Sequence, residues 1–166
     1  VSEWTNARDF VTASLEAVLA GSGAQVYPRL RRTDDPAVAK SLFFNTTAER
    51  LNAYFVTRVE SPVPVYRLDM VTRDHVALVH GFYGFHDEDD DDQATEDAFQ
   101  AQCDLVLAGL WARRAGGGAY GVTVAKPPTA SYDLGSAQWL AGALCHHVEI
   151  RWPLSITSSV ATVTQD

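Results

Sequence analysis

A chain of 166 residues, 46% hydrophobic and 20% charged, has the length and composition of one globular domain, able to bury about two-thirds of the surface its unfolded form exposes. Its formal net charge of −8 and pI near 5.0 exclude a protein that grips nucleic acid, because that binding rests on clustered Lys and Arg displacing counterions from phosphates. No apolar stretch is long enough to span a bilayer. The opening Val1-Ser2-Glu3-Trp4-Thr5 carries an acid where a secretory signal carries a basic region, so an intracellular origin is expected.

Taken in chain order, Asn6 and Asp9 read as a capping pair. Phe10, Val11, Leu15, Val18 and Leu19 form the apolar stripe of a first helix, and Gly21 and Gly23 supply its stop. Gln25 to Leu30 suits a short strand. Asp34-Asp35-Pro36 suits a turn or the cap of a short helical piece ending near Phe44, and residues 33–50 carry the least pattern. Ala53 to Val59 is rich in aromatic and β-branched residues, as strands are. Ser61-Pro62-Val63-Pro64 interrupts the ladder and Val65 to Val71 resumes it. Thr72-Arg73-Asp74 then predicts a turn into His75 to Phe85, whose two faces are both largely apolar, as in a central strand covered on each side.

The acidic run Asp87-Glu88-Asp89-Asp90-Asp91-Asp92 precedes a second helix, where negative charge complements the helix dipole. Phe99, Cys103, Val106, Leu107 and Leu110 share one face of that helix, and Arg113 and Arg114 sit at its far end. Gly116-Gly117-Gly118 is expected to end it, Tyr120, Val122 and Val124 alternate as a strand, and Lys126-Pro127-Pro128 opens a long connection. In the closing strand, Leu144, Val148, Ile150, Trp152 and Leu154 face inward, while His147, Glu149 and Arg151 face solvent. Cys103 and Cys145 read as small buried hydrophobes rather than a disulfide or metal ligands. The expected fold class is α+β, a mainly antiparallel sheet with two principal helices packed on it. A single domain, 1–154, is followed by a C-terminal extension or arm, 155–166.

Chemical motifs are weak. Gly116-x-Gly118-x-x-Gly121 matches a dinucleotide glycine pattern, yet it leaves a helix and enters a strand, the reverse of the order that aims a helix at pyrophosphate. His147-Val148-Glu149 has the His-x-Glu of zinc deaminases without the Pro-Cys-x-x-Cys that completes their site. Counted from Asp87, a calcium loop would need Gly and Glu where Asp92 and Ala98 stand. His75, His80, His86, His146 and His147 read as ordinary strand and strand-end histidines, and no Gly-x-Ser-x-Gly nucleophile appears. No catalytic residue, cofactor or metal ligand is therefore expected. Two alternatives stay open: a small enzyme, in which some of His80, Tyr83, His146 and Glu149 converge in a pocket, and an adaptor whose acidic loop binds an ion.

From Val76 through Leu154 the order is strand, acidic loop, amphipathic helix, then Tyr132-Asp133-Leu134-Gly135 and Trp139 before a terminal strand. With the N-terminal helix, this layout resembles phage tail-terminator proteins, the family typified by the minor tail protein U of long, non-contractile tails. The chain departs from that pattern in a longer insertion at 33–50 and in residues 155–166. The resemblance implies a non-enzymatic virion protein of the tail and neck region, assembled in the host cytoplasm. It implies a homohexameric ring that caps the tail tube protein, stops its polymerisation and meets the head-completion or stopper protein, with no membrane involved. DNA would pass through the lumen without specific binding, to which acidity is suited. The expected assembly or lumen surface comprises Asp87, Glu88, Asp89, Asp90, Asp91, Asp92, Tyr132, Asp133 and Trp139, on charged or glycine-rich segments longer than a minimal domain requires.

Overall fold

The computed structural model of the chain describes residues 3–30, 35–45, 50–59, 64–67, 70–85, 92–132, 138–140 and 143–159. Helix α1 spans Glu3–Val18, so Asn6 lies inside it rather than at its cap. Its start is fixed instead by Glu3, whose carboxylate accepts hydrogen bonds from Arg73 Nη1 at 2.5 Å and Ser158 Oγ at 2.7 Å. Ala7, Phe10, Val11 and Leu15 are buried along one stripe. Gly21 and Gly23 follow with φ of 85° and 75°, left-handed values that end the helix at no steric cost to glycine.

Strand β1 (Gln25–Tyr27) is followed by α2 (Pro36–Phe43), which Asp35 caps by accepting from the Ala37 and Val38 amides at 2.8 and 3.4 Å. Strands β2 (Phe44–Asn45), β3 (Arg50–Arg58), β4 (Val65–Arg67) and β5 (Met70–Gly84) come next. Helix α3 (Asp92–Ala112) runs into a 3-10 helix, Arg113–Tyr120. Strands β6 (Val122–Thr123), β7 (Thr129–Tyr132), β8 (Gln138–Leu140) and β9 (Ala143–Ser159) complete the described elements. The fold is α+β. The sheet order is β1-β3-β5-β9-β6, with β2 on β3, β4 on β5, and β7 and β8 on β9. Only β1 and β3 pair in parallel among these strands.

β5 and β9 form the spine, in unbroken antiparallel register from Met70↔Ser159 to Gly84↔Cys145. Because side chains alternate across a strand, this register sorts the core into two. On the first face Tyr54, Val56, Ala77, Val79, Val148, Ile150, Trp152 and Leu154 meet Phe10 and Val11 of α1 and Phe99, Cys103, Val106 and Leu110 of α3. Asn52 and Gln102 join β3 to α3 through reciprocal amide hydrogen bonds of 3.0 and 3.2 Å, satisfying polar groups that burial would otherwise penalise. On the second face Leu51, Ala53, Phe55, Phe82 and Cys145 form a smaller core with Phe43 of α2. Both cysteines are free and buried, and burial pushes the Cys103 thiol up to about 12 and the Cys145 thiol up to about 11.

Several expectations change. Thr72-Arg73-Asp74 is not a turn but lies within β5. Its polarity is answered by β9, where Thr72 meets Thr157 at 3.0 Å and Asp74 accepts from Ser155, and by α1, where Arg73 reaches Glu3. The three glycines 116–118 do not stop the helical path. It tightens into the 3-10 helix and ends at Gly121, whose φ is 68°. The strand expected across Tyr120, Val122 and Val124 shrinks to Val122–Thr123, and the connection after Pro128 contains β7 and β8. In β9 Leu144 is exposed on the first face, and His147 is buried on the second, where the smaller core covers that end of the strand from the side expected to face solvent. Leu107 is only partly buried. β9 also runs past Leu154 to Ser159, with Ile156 buried in the first core.

Candidate functional site: a histidine and carboxylate cluster

The second face of the sheet carries a cluster that no local motif announces. Strand register sets Phe55, His80, Glu149 and Ser131 in one cross-strand row, and Ala53, Phe82 and His147 in the next. Cross-strand neighbours on one face stand about 4.5–5.5 Å apart, within reach of one another's side chains. His80 Nδ1 lies 3.3 Å from His147 Nε2 and 3.8 Å from Glu149 Oε1. The two imidazoles are nearly parallel, 5.5 Å between centroids, and the His147 ring stacks on Phe82 at 4.6 Å. His147 is buried, whereas the side chains of His80 and Glu149 keep 22% and 37% of their exposure. The cluster is thus closed below and open above. Burial holds His80 below its ordinary value, since desolvation penalises the imidazolium, and the Glu149 charge opposes that shift.

Three donor atoms at this spacing can share a proton or take a cation. Cys145 lies two residues before His147 on the same face, but its raised thiol is the unreactive protonated form. Of His80, Tyr83, His146 and Glu149, the structure brings together two pairs on opposite faces rather than all four. His80 and Glu149 occupy the second face, while Tyr83 and His146 pair across the strands on the first. There the His146 ring stacks on Phe99 at 5.4 Å, and the Tyr83 hydroxyl accepts from Arg50 Nη1 at 2.7 Å. A cavity of about 270 Å³ lined by Phe10, Ala13, Ser14, Arg113, Gly116 and Tyr120 contains none of the four. Gly116, Gly118 and Gly121 mark the 3-10 helix and its cap, with no following helix to receive a phosphate.

Of the expected assembly surface, residues 87–91 and Asp133 lie outside the described residues. Asp92 opens α3, and Trp139 stands in β8 opposite Leu144. Tyr132 ends β7 opposite Val148, packs against the first core, and has its phenol raised above its ordinary value by burial. It is therefore part of the core margin. Sequence reading placed His80 and Glu149 in one candidate set but missed their association with His147. The signal available was a His-x-Glu on one strand and a histidine on another, and only the β5–β9 register joins them.

Fold and site together define an α+β sheet protein whose half-open face bears a two-histidine, one-carboxylate cluster. No protein-family model matches the chain, and no curated protein matches it.

Proposed function

We propose that the protein is a structural virion subunit, a tail terminator that assembles into a closed homohexameric ring, caps the phage tail tube, stops its polymerisation and joins the tail to the head-completion proteins. The observation that supports this reading most is the uncovered end of the second sheet face. From Leu78 outward no described helix lies over it. Val65 and Met70 are 50% and 51% exposed, and farther along the same face, past Thr72, Asp74, Ser155 and Thr157, Val76, Leu78 and Pro153 are half-buried. An open sheet surface that exposes apolar side chains among polar ones is an expected site of protein association, and a head-to-tail contact through it closes into a ring when the rotation between copies is right. The element order of helix, sheet, helix and terminal strand also suits the family, and net negative charge suits a lumen through which DNA slides without adhering.

The test is native mass spectrometry of the full chain with electron microscopy of tail-containing particles. Hexamers in solution, or six copies at the head-proximal end of the tail, are expected, and Met70→Glu with Val65→Glu should reduce both. A strict monomer at high concentration, with no copy in any particle, overturns the proposal. Substituting Asp89 to Asp92 by Asn should leave folding intact, since a run of adjacent acids cannot pack into a core without large desolvation costs, and should lower the yield of infectious particles.

A further inference from the structure

We propose that His80, His147 and Glu149 form a binding site for one divalent transition-metal ion, zinc being the best match, with the fourth position open to water. The first argument is metric. Tetrahedral zinc with bonds of about 2.0–2.1 Å holds two nitrogen donors about 3.3 Å apart. His80 Nδ1 and His147 Nε2 are 3.3 Å apart, and Glu149 Oε1 follows at 3.8 Å from His80 Nδ1. All three donors fall within 4.8 Å of one another, so an ion can be seated by small side-chain rotations without moving either strand.

The donor set is the second argument. Two imidazoles and one carboxylate are the ligands of many three-residue zinc sites, and borderline-soft nitrogen donors select zinc, copper or nickel over magnesium and calcium. The hydrogen shared between the two rings need only move to the opposite nitrogen of its own imidazole for both lone pairs to face the ion. Glu149 supplies one negative charge toward the two positive charges of the cation.

The third argument is the platform. The three residues come from the two central strands, fixed by unbroken register, and the His147 ring is locked against Phe82. Sites on such rigid elements keep their geometry better than sites on loops. The bound ion would pin β5 to β9 beside the second core, and its remaining coordination position would face the open part of the sheet.

The experiment uses the untagged full chain, stripped with chelator and titrated with zinc sulfate, followed by calorimetry, native mass spectrometry and thermal melting. One zinc per chain and a raised melting temperature are expected. Cobalt(II) should give the intense visible absorption of a tetrahedral site. Glu149→Gln and His80→Gln, both at partly exposed positions that tolerate change, should stay folded by circular dichroism and weaken zinc binding by about a hundredfold or more, since even outer partners of metal ligands are worth 10–100-fold. His75→Gln should bind zinc as the parent does. Failure of the parent chain to bind zinc stoichiometrically overturns the site, as does unchanged affinity in both Glu149→Gln and His80→Gln, which would place the ion elsewhere, for example on Asp87 to Asp92. None of these readouts depends on ring formation.

Discussion

Trp152 offers the sharpest test of how the two cores are divided. Its side chain is fully buried on the first face and its ring lies 5.3 Å from that of Phe10. Burial of an aromatic of this size removes roughly 200 Å² from water, worth roughly 5 kcal/mol at about 25 cal/mol per Å². Partial collapse around the gap and residual burial in the unfolded chain reduce that figure, so Trp152→Ala should cost about 3–5 kcal/mol. That is a large share of the 5–15 kcal/mol typical of a domain, and it lowers the melting temperature by about 10 °C. Two comparisons isolate the cause. Arg151→Ala changes the adjacent residue, which is exposed on the opposite face, and should stay within about 0.5 kcal/mol of the parent. Trp152→Phe keeps the apolar ring and removes an indole N–H that has no hydrogen-bond partner among the described residues. An unsatisfied buried donor is costly, so relief of that cost offsets lost volume and the net loss should be about 1 kcal/mol or less. Denaturant and thermal unfolding of the three variants measure these values. A parent-like Trp152→Ala, or an Arg151→Ala as damaging as Trp152→Ala, would refute the facing assigned to β9.

His75 is buried and neither ring nitrogen has a partner among the described residues. Burial first, then the nearby Arg58 charge, hold it below its ordinary value of 6.5, with Arg73 acting the same way and Glu3 and Asp74 opposing. The unfolded chain then binds a proton that the folded chain refuses, so stability falls as pH drops below 6.5; His75→Phe should flatten the difference between unfolding curves at about pH 7.5 and about pH 5, without abolishing it, because His80 is shifted the same way. A Cβ at Gly117 would lie 2.6 Å from the Val122 carbonyl oxygen, whereas at Gly118 it would meet nothing within 4 Å. Gly117→Ala should therefore lose about 1–3 kcal/mol, and Gly118→Ala should be neutral or slightly stabilising by melting temperature. Asp35→Ala removes the oxygen that accepts both α2 cap amides and should cost about 1 kcal/mol by denaturant unfolding, which would indicate that α2 melts with the rest of the domain.

What the sequence made legible follows the range of the interactions involved. The stripes of α1 and α3 and the alternation of Val148, Ile150, Trp152 and Leu154 were readable because one face alone decides them. His147 was misread because its burial depends on α2 and on Phe82, far away in the chain, which build a second core over one end of the strand. Thr72-Arg73-Asp74 has the composition of a turn, and its partners Thr157, Glu3 and Ser155 become visible only once β5 lies beside α1 and β9. Gly116 to Gly118 have the composition of a helix stop, since glycine is a poor helix former, yet Gly117 is needed for close approach to Val122. The His80, His147 and Glu149 cluster was hidden for the same reason, being a product of register rather than spacing.

The position of β9 after all the strands it pairs with also sets the tempo of folding. It supplies Val148, Ile150, Trp152, Leu154 and Ile156 to one core and Cys145 to the other, and it is the partner of β5, β6, β7 and β8. Neither core can close on the ribosome before those residues emerge. At about 5–20 residues per second of synthesis, the nascent chain carries the unpaired edge of β5 for several seconds. Assembly is thus a late, non-local event, slow relative to helix-rich proteins of this length and exposed to mispairing between neighbouring chains on one message.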